Sequence, residues 1–253
     1  MARLVRAEFV KLFTTRLWLW LLLGSVALPV LYAGLAIAFG DHPDNPTPPL
    51  SSAAGQRTVF SAGQGAATLA AVLAAIGLTG EFRHRTVNPT FLATPPRGRV
   101  VLAKLVTYCV VGIGYALVCI AASIAVAVPW LAAKGISVSP FANRIPGTFG
   151  GVIAGTAAYA LIGVGLGALL RDQVATVAGL LVYLFVVEPL LIRVPSLRDW
   201  TMYLPGPATN ALTQVVQSNQ RFLEPWQGGL VLAGYGLVLA MAGTFLAVRR
   251  DIT

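Results

Sequence analysis

Six uninterrupted apolar stretches decide what this chain can fold into. Leu17–Phe39, Thr58–Thr79, Val100–Val128, Thr148–Leu170, Val174–Ile192 and Gly229–Val248 each hold about the 20 residues that a helix needs to cross a hydrocarbon core. They contain two charged residues, Lys104 and Glu188, each near one end of its stretch. A charge at the centre of a membrane helix costs about 2.5–3.5 kcal/mol, so charges collect at the ends. A mean hydropathy of +0.76 agrees with a chain built for lipid. The expected fold is all-α: a polytopic membrane protein of six transmembrane helices forming one domain over residues 1–253.

Six crossings put both termini on one side, and the basic residues select that side. Arg3, Arg6, Lys11, Arg16, Arg83, Arg85, Arg97, Arg99, Lys104, Arg171, Arg249 and Arg250 fall in one set of connections; Arg57, Lys134, Arg144, Arg193, Arg198 and Arg221 fall in the other. The richer set belongs in the cytoplasm. This asymmetry accounts for the net charge of +9 without nucleic acid, because the charges are spread along membrane flanks and not gathered on one face. The first apolar run is about twice as long as the core of a secretion signal and is expected to be retained as a span.

Residues 2–15 place Val5, Phe9, Leu12 and Phe13 on one helical stripe, with Arg3, Arg6 and Lys11 mostly off it. That is a basic amphipathic helix suited to an anionic leaflet, or a cytoplasmic extension of the first span. Cys109 and Cys119, ten positions apart on one helix, are about 15 Å apart along its axis and cannot bond within the chain. In the first outer connection Asp41, His42 and Asp44 lie among Pro43, Pro46, Pro48 and Pro49, which reads as a stiff loop and not a metal site.

Small residues recur every four positions: Ala62, Ala66, Ala70 and Ala74 in the second stretch, and Gly147, Gly151, Gly155, Gly163 and Gly167 in the fourth. Such stripes let membrane helices approach closely, either within one subunit or between two. The outer segment 193–228 carries Trp200, Tyr203, Phe222 and Trp226 on pieces too short to cross. Two short helices at the outer interface, broken at Pro205–Pro207, are expected there.

The segment "GEFRHRTVNPTFLATPPRGR", residues 80–99, concentrates charge between two apolar runs. Asn88-Pro89 reads as a helix start and Pro95-Pro96 as its stop, leaving a helix of under two turns over Pro89–Thr94. Phe91 and Leu92 give it an apolar side that fits a groove on another protein or dips into the membrane surface.

With "AEFVKLFTTR" before the first span, "GEFRHRTVNPTFLATPPRGRVVLAK" between the second and third, "VVEPLL" and "YLPGPATNAL" after the fifth and "RRDI" at the end, the chain resembles the type 2 ATP-binding-cassette permeases, membrane subunits of many bacterial exporters. It departs from their pattern at Asn88-Pro89 and Pro95-Pro96. The resemblance implies that 80–99 is a cytoplasmic coupling helix seated in a separate ATPase subunit. Glu81, Phe82, Arg83, His84 and Arg85 would flank the contact, with Asn88 starting the helix and Phe91 and Leu92 anchoring it. It also implies a connecting helix at the N-terminus, re-entrant helices near the outer mouth, and two copies each of permease and ATPase.

No G-x-x-x-x-G-K-[ST] loop occurs, so ATP and its Mg would belong to the partner ATPase, and no cofactor to this chain. No H-E-x-x-H or G-x-S-x-G motif marks it as an enzyme by itself. Gln64, Phe185 and Glu188 are the candidates for a substrate path. Glu188, the one intramembrane acid, is read either as a contact for a cationic substrate or as an ion-pair partner of Arg193. The expected cargo is amphipathic or hydrophobic: an antibiotic, a peptide or a lipid. An ATP-independent carrier, or a structural or sensory membrane protein, is the alternative; the absence of a visible internal repeat weighs against a carrier built on inverted repeats.

Overall fold

In a computed structural model, which describes residues 1–40, 42, 47–84, 97–214 and 223–249, all regular structure among the described residues is helical. Helix α1 (Ala2–Thr14) leads into α2 (Leu17–Phe39), the first of six helices long and apolar enough to cross a membrane. The second is a compound rod of α3 (Ala53–Phe60), a 3-10 turn (Ser61–Gln64) and α4 (Gly65–Arg83). It begins five residues before the apolar run because the Ser52 hydroxyl accepts the Gly55 N–H at 3.0 Å and caps α3. The third and fourth are α5 (Arg97–Ala133) and α6 (Ile145–Leu170).

The fifth span comprises α7 (Gln173–Val182), a π-helical turn (Tyr183–Val187) and α8 (Glu188–Ile192). Its start is fixed by the Asp172 carboxylate, which accepts the Ala175 N–H at 2.7 Å. Short α9 (Arg198–Thr201) and α10 (Pro205–Thr213) precede the sixth span, α11 (Pro225–Arg249). The expected break at Pro205–Pro207 lies earlier, at Met202–Leu204: the prolines open α10, where a missing N–H costs nothing. Pro205, Pro207, Ala208 and Ala211 are buried, and α10 packs on α6 and α11 while α9 leaves Trp200 exposed.

Two spans form the centre. The second and fourth are each 72% buried, against 17–33% for the other four, which turn most of their apolar surface outward. Surface of that kind suits lipid and makes this a multi-pass membrane protein. The central seam is made of small residues: Gly163 lies against the Ala71 carbonyl and Gly167 against Thr79 and Ala75, so α4 and α6 meet almost backbone to backbone. Gly151 and Gly155 receive α10 at Leu212 and Thr209, and Gly165 receives α11 at Leu239 and Ala240. The glycine stripe is therefore a seam within one subunit.

At one end of the bundle the Lys134 ammonium donates to the Ile37 carbonyl at 2.6 Å, and the Asn143 amide donates to Gln56 at 2.9 Å. The opposite end gathers α1, the last turn of α4, the first turns of α5 and the α6–α7 connection.

Candidate functional site

At that second end, four charged side chains from three helices meet. Glu8 and Leu12, one turn apart, form the buried face of α1, with Lys11 beside them. Glu81 lies in the last full turn of α4, and Lys104 two turns into α5. The Lys104 ammonium donates to Glu8 Oε2 at 2.5 Å and to Glu81 Oε1 at 2.8 Å. Lys11 Nζ donates to Glu8 Oε1 and to Glu81 Oε1, both at 2.7 Å. Each carboxylate thus serves both lysines, and the cluster carries no net charge.

Lys104 is 1% exposed. At such a depth an ammonium needs counter-charge, and two carboxylates in direct contact supply it and hold the side chain in place. Burial works against the charge of Lys11, but hydrogen bonds and charge from Glu8 and Glu81 more than offset it and raise its pKa above the ordinary lysine value. An apolar layer closes the cluster from within: Leu12, Leu78 and Tyr108 belong to one buried group, and Tyr108, one turn after Lys104, is seated on Gly77 with no room for a methyl group there.

Neighbouring residues extend the contact to the α6–α7 connection. The Arg171 guanidinium stands over the Phe82 ring, 5.9 Å from its centroid, at an attractive distance for a cation over an aromatic face. Arg83 donates to Gln173 Oε1 at 3.4 Å. His84 is exposed and its N–H ends α4 on the Gly80 carbonyl. Of the residues expected to flank a coupling contact, Glu81, Phe82, Arg83 and His84 therefore lie together at one bundle end. Arg85, Asn88, Phe91 and Leu92, with the short helix expected over 89–94, lie outside the described residues.

A second locus runs along the fifth span, from Leu170 and Thr176 beside the α6–α7 connection to Pro205 of α10. Helix α7 packs on α4 and α6, and a cavity of about 400 Å³ lies among α6, the fifth span and α11. Its wall includes Tyr159 of α6, Leu180 and Tyr183 of the fifth span, Pro205 of α10, and Tyr235 and Leu239 of α11. Glu188, 4% exposed, lies one residue from that wall: its Oε1 accepts the N–H of Gly206, next to Pro205, at 2.6 Å. The partner that the structure gives it is the start of α10 and not Arg193.

The other path candidates are elsewhere. The Gln64 amide donates to the Thr213 hydroxyl, whose carbonyl accepts from Thr148 at 3.0 Å, so Gln64 ties the second span to α10 and α6. Phe185 is 67% exposed and faces away from the bundle. Sequence reasoning left out Glu8, Tyr159, Tyr183 and Tyr235, and treated Lys104 only as a terminal charge. A lone lysine inside an apolar run was the signal that an acid from elsewhere must reach it.

No protein-family model and no curated protein matches the chain.

Proposed function

We propose that this chain is the membrane-spanning permease subunit of an ATP-driven exporter of the type 2 ATP-binding-cassette class. It works as a homodimer with two copies of a separate ATPase, which carries ATP and Mg. Both termini and the segment 80–99 face the cytoplasm of a bacterial cell, and the cargo is an amphipathic or hydrophobic compound leaving it.

One observation carries most of this reading. The two helices that flank segment 80–99 are joined by the Glu81–Lys104 pair, and both are bonded to α1 through Glu8 and Lys11. A push on the segment is delivered to α1, α4 and α5 together and, through Phe82 and Arg171, to the α6–α7 connection. A loop that only touched lipid would need no such frame. Nucleotide-driven closure of the ATPases would bias the permeases between inward-open and outward-open states.

Co-expression with the ATPase subunit encoded beside it, followed by co-purification and measurement of ATP hydrolysis, tests the proposal. The expected outcome is a complex whose hydrolysis the permease stimulates, with assembly or stimulation lost in Phe91→Asp and Leu92→Asp. Transport by the purified chain without any ATPase would overturn it.

A further inference from the structure

We infer that the cavity between α6, α7 and α11 binds a lipophilic organic cation, its charged centre among Tyr159, Tyr183 and Tyr235 and balanced by Glu188. This deepens the exporter reading, on which its physiological meaning rests, by naming the cargo's class.

Three observations converge on a cation. First, the two buried acids at the other end of the bundle, Glu8 and Glu81, are matched by Lys11 and Lys104, whereas Glu188, equally buried, makes no ion pair among the described residues. One oxygen takes the Gly206 N–H; the other has no donor among the described residues. The α10 start stabilises a carboxylate in part, but a buried charge of this kind needs a counter-charge to be comfortable. Second, Tyr159, Tyr183 and Tyr235 all line the cavity, and Glu188 is held at its edge by Gly206, next to the lining Pro205. Aromatic faces attract a cation within about 6 Å, and most strongly where water is excluded. Third, the rest of the wall is aliphatic, including Ile162, Leu166, Leu180 and Leu239, and the volume falls in the range of small-molecule sites. The fifth span and α11, which supply two of its walls, turn most of their surface outward, so lipid is the route by which a cation with a greasy shell would reach the cleft.

Tetraphenylphosphonium and tetraphenylborate have nearly the same shape and opposite charge, which makes them the probes of choice. Equilibrium dialysis against the purified full chain in lipid nanodiscs, with no ATPase present, is expected to give saturable binding of the phosphonium and none of the borate at this site. Glu188→Gln keeps an acceptor for the Gly206 N–H and removes the charge; it should weaken phosphonium binding by about tenfold or more. Leu239→Trp fills the cavity from the opposite wall and should weaken it at least as much, with unfolding midpoints confirming that both variants fold. Unchanged binding in either folded variant, or equal binding of the borate, would overturn the inference. Loss of the site with ATPase stimulation intact leaves the exporter reading standing; phosphonium binding without any ATPase association leaves the site standing and removes that reading.

Discussion

Lys104 on α5 and Glu8 on α1, 96 positions apart in sequence, meet at 2.5 Å in an environment almost closed to solvent. With Glu81 and Lys11 they make the bundle end a single mechanical piece.

Removing Lys104 leaves two acids buried at one point. Lys104→Met should therefore destabilise the protein by about 3–5 kcal/mol, the usual cost of breaking a buried pair from one side. Lys11→Met, at a half-exposed position, should cost about 1 kcal/mol or less. Denaturant unfolding in detergent followed by tryptophan fluorescence compares the two; equal costs would show that depth is not what makes Lys104 matter.

The raised pKa of Lys11 gives its contribution a direction in pH. Stabilisation by this lysine is complete below 10.5, the unfolded value, and is lost as pH rises through the higher folded value. Thermal midpoints of the wild type should therefore fall toward those of Lys11→Met as pH is raised above 10.5. A difference between the two that stays constant through that window would contradict the assigned contacts.

Two glycines of α6 should respond oppositely to the same methyl group. At Gly163 it would run into the Ala71 backbone carbonyl, which has no side chain to swing aside, and Gly163→Ala should cost about 1–3 kcal/mol. Gly150 has open space around the same position, and Gly150→Ala should gain about 0.5–1 kcal/mol from helix propensity. Unfolding midpoints of the pair give the sign directly.

Sidedness is open to chemical labelling. With Cys109 and Cys119 replaced by alanine, a membrane-impermeant maleimide should label Ser51→Cys in intact cells and Thr14→Cys only after permeabilisation. Both positions are exposed. The reverse pattern would invert the orientation assigned from the basic residues.

How much of this was legible in the sequence depended on range. Six spans follow from runs of apolar residues, and the Gly163 and Gly167 seam follows from a four-residue period, because both are local patterns. The charged cluster is different: Glu8 sits among basic neighbours in an amphipathic helix, and nothing near it announces Lys104. Glu188 shows a milder form of the problem. Arg193 was the visible partner five residues on, but the N–H that binds the carboxylate belongs to Gly206, brought back by the turn into α10. Phe185, also named for the path, projects outward, while Leu180 and Glu188 hold the buried face. The joint at Ser61–Gln64 falls on the polar run SAGQ, but polarity alone does not announce a switch from α-helical to 3-10 hydrogen bonding.

The reach from Glu8 to Lys104 also sets an order of events during synthesis. The N-terminal helix leaves the ribosome with only Lys11 beside Glu8, and the buried lysine that completes the cluster is 96 residues behind. At about 5–20 residues per second, that is a wait of roughly 5–20 s. Until then α1 lacks the contact that buries Glu8, and docking it is the step that completes this end of the bundle.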